Sequence, residues 1–197
     1  METLAITNMK AAQVKAVASL HARALPNDLL PSLGHKFLER YYETMLDCPY
    51  ALVLVALHKE KLVGFVNIAT APDKLFRWVL KKKIIRTILA CINLSIKNPS
   101  RLIEAVAAIT AGTPQADNSG EVAFIAVEPN YQKLGIGKNM IAESNRIFKN
   151  KGLYKVFTKT LSSNRAVMRF YNENWNAEIS GQVEIANKEY TYISWRI

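Results

Sequence analysis

The sequence predicts a mixed α/β fold, on three observations. Two stretches of helical period, 11–25 and 32–46, lead into two β-branched runs, 51–57 and 62–70. A strand–turn–helix–strand–helix series then fills 121–174. Two further strand-like runs close the chain. Helices and strands interleaved in this way bury their apolar faces as layers on a sheet.

Taken in order, Leu4–Thr7 reads as a short first strand. Ala11–Leu25 spaces Val14, Val17, Ala18, Ala22 and Leu25 as one helical face, and Pro26 stops it by removing an N–H donor. A second helix is expected from about Ser32 to Leu46, with Phe37, Leu38, Tyr41 and Met45 on one face. Ala51–Leu57 and Leu62–Thr70 are strands, joined as a hairpin by His58-Lys59-Glu60-Lys61. Asp73 to about Ile109 reads as helical, since Ile85, Ile88, Leu89, Ile92 and Ile96 follow a 3.6-residue period. Asn98-Pro99 offers an N-cap and a first-turn proline, so a new helix begins there.

Ala111–Gly120, with Gly112, Pro114, Asp117 and Asn118, reads as a loop. Glu121–Glu128 is a strand, Pro129–Leu134 a turn, and Gly135–Lys149 a helix closed by Gly152. Leu153–Thr160 is a strand and Asn164–Asn174 a short helix. Ile179–Ala186 and Tyr190–Arg196 form a hairpin that turns at Asn187-Lys188.

A length of 197 residues suits one domain spanning 1–197, with enough apolar content to bury a single core. The two cysteines, Cys48 and Cys91, fit neither a metal-ligand spacing nor a disulfide framework. A reducing, cytoplasmic setting and no metal are therefore expected. Met1-Glu2-Thr3 has no basic n-region and no apolar h-region behind it, so no signal peptide is expected. The most apolar stretch, 84–96, is broken by Arg86, Thr87, Asn93 and Ser95 and is too short to span a bilayer.

The formal net charge is +10, and its placement is uneven. Lys74, Arg77, Lys81, Lys82, Lys83, Arg86, Lys97 and Arg101 fall in one stretch with no acid among them. Such a run attracts phosphates, nucleic acid or an anionic membrane surface, or else is a solvated helix face. No nucleic-acid-binding motif accompanies it, so a nucleic-acid partner is not expected.

The strongest local signal is Ala126-Val127-Glu128-Pro129-Asn130-Tyr131-Gln132-Lys133-Leu134-Gly135-Ile136-Gly137-Lys138. A buried strand ends here, the chain turns, and a helix starts at the glycines. The first N–H groups of a helix lack internal partners and sit at the positive end of its dipole, so they take a phosphate through the backbone. Gly135 and Gly137 would let the anion approach closely, and Lys133 and Lys138 add charge at the rim. Met140 stands where a dinucleotide fingerprint needs its third glycine, and no Gly-Lys-Ser/Thr makes a P-loop. Read alone, the glycines equally suit close helix–strand packing.

Gln132-Lys133-Leu134-Gly135-Ile136-Gly137 resembles the Gln/Arg-x-x-Gly-x-Gly/Ala turn of the GNAT superfamily of acyl-CoA-dependent N-acetyltransferases. Ile125-Ala126-Val127-Glu128-Pro129 is similar to that family's Ala-Val-x-Pro lead-in. A second family motif, Asn-x-x-Ala-x-x-x-Tyr, follows as Asn164-Arg165-Ala166-Val167-Met168-Arg169-Phe170-Tyr171. The close match covers about 121–176, the first 70 residues agree in element order, and 74–110 resembles a basic helical insertion.

The resemblance implies a mostly antiparallel central sheet flanked by helices, with acetyl-CoA as co-substrate and a primary amine as acceptor. It implies that the strand 121–128 splays from the strand starting at Leu153. The CoA arm would pair with backbone groups of Ile125, Ala126 and Val127, and its pyrophosphate would rest on the amides of Gln132 to Lys138, that is Gln132, Lys133, Leu134, Gly135, Ile136, Gly137 and Lys138. Asn164 would hydrogen-bond the pantetheine, and a backbone N–H near Val127 would polarise the thioester carbonyl. Tyr171 would protonate the leaving thiolate; as a residue alone it reads first as a core-facing aromatic one turn from Trp175.

Some relatives carry a glutamate on the strand before the Asn motif, where this chain has Lys159. The candidate base is therefore Glu121, taken to share strand parity with Ala123, Ile125 and Val127; it also suits an exposed strand end, and a water chain can replace it. His21, His35 and His58 have no supporting motif. Asn174-Trp175 stands where relatives often have Gly-Phe, keeping the aromatic.

The basic stretch 74–101 suggests an anionic acceptor, an amino sugar that is nucleotide- or lipid-linked, or peripheral contact with the inner membrane surface. A protein or peptide amine is the alternative acceptor. A non-catalytic acyl-CoA-binding module is the alternative class.

Overall fold

The computed structural model describes residues 4–26, 28–81, 118–185 and 188–197. Seven strands form one sheet in the order β1-β2-β3-β4-β5-β7-β6. They are β1 (Leu4–Asn8), β2 (Ala51–His58), β3 (Lys61–Ala69), β4 (Ser119–Val127), β5 (Lys155–Leu161), β6 (Glu178–Ile185) and β7 (Lys188–Arg196). Every neighbouring pair is antiparallel except β4 and β5, which run parallel.

Helices bury both faces. On one face α1 (Val14–Ala24) and α3 (His35–Leu46) pack over Val53, Val55, Phe65 and Ala126. On the other, α5 (Ile136–Asn150) and α6 (Arg165–Trp175) pack over Leu54, Val66, Ile68, Val122 and Ile193. Burial on both sides explains why 51–56 and 63–69 are nearly unbroken apolar runs instead of alternating ones.

Boundaries move where a local backbone feature intervenes. The expected helix 11–25 is a 3-10 turn, Ala11–Gln13, followed by α1. The expected helix from Ser32 begins at His35 because Gly34 takes φ +98°, separating it from a single turn, α2 (Leu29–Ser32). The buried face of α3 is Phe37, Leu38, Tyr42 and Met45, with Tyr41 turned aside. Tyr41 instead accepts a hydrogen bond from Asn67 Nδ2 at 2.6 Å. The helical reading of 73–109 is met by α4 (Pro72–Lys81), whose Leu75 and Trp78 pack on the first layer. The remainder of that reading and the loop 111–117 lie outside the described residues, as do 186 and 187 of the closing turn.

His21 lies fully buried on α1. Its Nδ1 is 2.6 Å from the Tyr42 hydroxyl, and the Phe124 and Phe65 rings lie 4.7 and 5.5 Å from its own. Burial lowers its pKa from 6.5 to about 4. The unfolded chain therefore binds this proton more readily, so the folded state loses stability as pH falls from 6.5 to 4, by about 3 kcal/mol. Denaturant melts across that range should show this slope in the native chain and a shallower one in His21→Leu. Equal slopes would exclude His21 as the source.

Candidate active site

The site begins where β4 and β5 part. They pair only from Ser119↔Lys155 to Val122↔Thr158, yet β4 continues to Val127 and β5 to Leu161. The break coincides with a bulge. Asn67 opposes Phe124 and Ile68 opposes Val122, leaving Ala123 without a partner on β3. An extra residue bends and twists its strand, which here turns β4 away while β5 stays paired to β7 through Leu161↔Tyr190.

The outer part of β4 thus has one free edge. The Glu128 N–H donates to the Val63 carbonyl at 2.9 Å, which sends the main-chain groups of alternate residues Ala126 and Phe124 toward β3 as well. Those of Ile125 and Val127 then face the opening. Gln132 Nε2 donates to the Val127 carbonyl at 3.1 Å, tying the strand end to the turn that follows.

That turn runs through a 3-10 segment, Pro129–Tyr131, into α5. Lys133 (φ +62°) and Gly135 (φ +79°) are both left-handed, which curls the backbone before the helix. Gly135 caps α5 without a side-chain acceptor. The Asn139 N–H returns to the Gly135 carbonyl at 2.9 Å, but the N–H groups of Ile136, Gly137 and Lys138 meet no acceptor among the described residues. Packing does not account for the glycines. A Cβ on Gly135 would meet nothing within 4 Å, and one on Gly137 would make ordinary contacts with Phe170 at 3.5 Å and Val127 at 3.9 Å. Gly135 is required by its φ, while Gly137 keeps the first turn bare. Leu134 is two-thirds exposed beside them.

Tyr171 lies on α6, buried beneath the parting strands and stacked on Trp195 with ring centroids 5.0 Å apart. It is core-packed, as the residue alone suggests, yet its hydroxyl has no hydrogen-bond partner among the described residues. The neighbouring Thr158 hydroxyl spends its proton on the Val122 carbonyl at 2.8 Å, on the last paired rung. Burial raises the Tyr171 pKa, an effect Thr158 partly opposes, so the phenol stays protonated. Asn164 is the exposed N-cap of α6, accepting from the Val167 N–H at 3.3 Å. That cap uses Oδ1 and leaves its amide N–H groups as donors.

Glu121 corrects the parity reading. Because of the bulge at Ala123 it does not share a face with Ile125 and Val127, which lie with Val122 on the α5 side. It faces the α1/α3 side with Phe124 and Ala126. Burial raises its pKa, with Lys159 partly offsetting. It is close enough to Tyr41 and Tyr192 to raise their pKa values by its charge.

The sequence reading did not single out Thr158, Asn67 or Tyr192, and it named Tyr41 only as part of an apolar helix face. Only nonlocal register gathers them at the fork. The available signal was weak: polar residues inside otherwise apolar strands, as at Asn67 and Thr158.

The model of the acetyltransferase (GNAT) family matches residues 16–175. No curated protein matches by sequence. Among solved structures, the chain is similar to the ribosomal-protein-S18-alanine N-acetyltransferase of Escherichia coli, with 11% identity, TM-score 0.62, and 99% of this chain and 94% of that one covered. An acetyltransferase of the GNAT family from Streptococcus pneumoniae gives 15% identity and TM-score 0.60, covering 99% and 100%. PaiA N-acetyltransferase from Thermoplasma acidophilum, solved with coenzyme A, gives 12% and 0.58, covering 99% of each chain.

Proposed function

Because the chain belongs to the GNAT acetyltransferase family and is an acetyl-CoA-dependent N-acetyltransferase, we propose that it moves the acetyl group to a primary amine of a small-molecule acceptor by direct attack in a ternary complex. The observation that carries this is the β4–β5 fork with an uncapped helix start at its rim. The free edge at Ile125–Val127 takes the amide-bearing arm of the CoA as an added strand. The bare N–H groups at Gly135–Lys138, with Lys133 and Lys138, take the diphosphate. Asn164 donates to the same arm.

In the transfer the acceptor nitrogen bonds to the thioester carbon and the carbon–sulfur bond breaks. The Val127 N–H stabilises the charge that develops on the carbonyl oxygen. Tyr171 supplies the proton to the departing sulfur. Glu121, on the α1/α3 side, takes the proton from the ammonium of the acceptor. That face is where the family builds its acceptor pocket from the first helices, which supports the assignment. The acceptor carries an anionic group, as an amino sugar phosphate or nucleotide-linked amino sugar would; Lys74, Arg77 and Lys81 on α4 are the described part of the basic run that motivates this.

Thiol release from acetyl-CoA with a panel of amines tests the reaction. As a base Glu121 must be ionised, and its pKa lies above the ordinary carboxylate range. Activity should therefore rise with pH through that raised value, and Glu121→Gln should abolish the limb together with most of kcat. A Glu121→Gln enzyme with the native profile would assign the proton to another group.

A further inference from the structure

We infer that the acceptor must present an anionic group on the same small molecule as its amine, and that Lys159 with Tyr192 reads that group. The inference rests on the transferase reading above and names its substrate class. The α1/α3 face of the sheet holds side chains that the other described residues leave unmatched, and they are arranged in an order. On β3, Asn67 Oδ1 is buried and has no donor among the described residues. On β4 stands the half-buried Glu121 carboxyl. On β5 follows Lys159, half-buried, in contact with the Tyr190 ring at 5.6 Å and with no ion pair among the described residues. On β7, directly opposite Lys159, the Tyr192 hydroxyl is buried and has no partner among the described residues.

Buried polar groups are almost always satisfied, so several unmatched ones on one face describe the outline of a ligand. Here hydrogen-bond acceptors occupy β3 and β4, and donors occupy β5 and β7. The complement is a molecule with N–H donors at one end and an oxyanion at the other.

Register sets the span. Glu121 opposes Phe157, and Lys159 is two residues further along the same face. A strand spacing of about 4.8 Å and two residues of about 3.3 Å rise put these backbones roughly 8 Å apart, and more where the strands part. Two long side chains close that gap around one small zwitterion. Lys159 is also the first β5 residue past the last β4–β5 rung, so the anion would lie beside the fork where the acyl group is delivered.

The other charged groups facing Lys159 are consistent with this. Asp28, at the start of α2, lies within electrostatic reach of both Lys159 and Lys188, so its charge is shared between two lysines. Burial lowers the Lys159 pKa while Glu121 and Asp28 raise it, leaving an incompletely solvated cation that an anion would stabilise.

Two matched pairs test the inference: an amino acid against its methyl ester, and glucosamine 6-phosphate against glucosamine. Turnover is measured, and so is thermal stabilisation by each compound without acetyl-CoA. In at least one pair the anionic member should have a KM lower by tenfold or more, and it alone should raise Tm; the responding pair identifies carboxylate or phosphate. Lys159→Met should erase that preference by weakening the anionic member only, and Lys159→Arg should keep most of it. No preference in either pair, or a Lys159→Met variant that weakens both members equally, overturns the inference. Anion-selective stabilisation without turnover would instead count against the transferase reading and leave this one standing.

Discussion

Tyr171→Phe is expected to cut kcat for thiol release from acetyl-CoA about a hundredfold, the lower end for loss of a positioned general acid because a thiolate leaves comparatively well. The fold should not register the change. The Tyr171 hydroxyl has no partner among the described residues, and its ring stacks on Trp195 and edges onto Phe170 at 5.1 Å. Phenylalanine keeps the ring and removes an unsatisfied buried oxygen, so Tm should hold or rise. Stability and rate therefore separate the two readings of this residue. A packing role predicts unchanged kcat, whereas an acid role predicts a slow enzyme that melts no earlier than the native one. Calorimetry of CoA binding should give the same Kd for both proteins.

The second large effect is expected at the turn before α5. Gly135→Val/Gly137→Val should weaken CoA binding at least about thirtyfold, roughly 2 kcal/mol. Two causes add. A β-branched residue cannot hold φ +79° at position 135 without strain, so the curl that aims the amides relaxes. A side chain at 137 then covers the first-turn N–H groups that would face the diphosphate. Gly152→Val is the control. Gly152 has φ +74° and equally open space, but it lies just past the far end of α5. That variant should carry the same backbone strain and leave Kd unchanged by isothermal titration. Equal affinities for the native and doubly substituted proteins would remove the turn from the binding site.

Much of the fold was legible because its signals are local. Pro26 ends the first helix, Gly152 ends α5 with its own left-handed φ, and His58–Lys61 closes a hairpin; none of these needs a distant partner. The turn before α5 was legible for the same reason, since Gln132 to Gly137 lie within six residues. The start of α3 was missed because Gly34 interrupts a pattern whose periodicity continues on both sides of it.

The residues that share the α1/α3 face were not legible, and Glu121 makes the reason concrete. Alternation along 121–127 puts Glu121 with Ile125 and Val127. One unopposed residue, Ala123, reverses that assignment. A bulge arises from the register between two strands, and nothing in Glu121-Val122-Ala123-Phe124 marks it. By itself the sequence determined most of the described strands and helices, and a left-handed glycine turn where a strand passes into a helix. Only the tertiary structure decided where β4 leaves β5, which face Glu121 occupies, and that Asn67, Lys159 and Tyr192 join it there. Backbone conformation is set by neighbours a few residues away, whereas side-chain convergence is set by pairing between strands that are tens of residues apart.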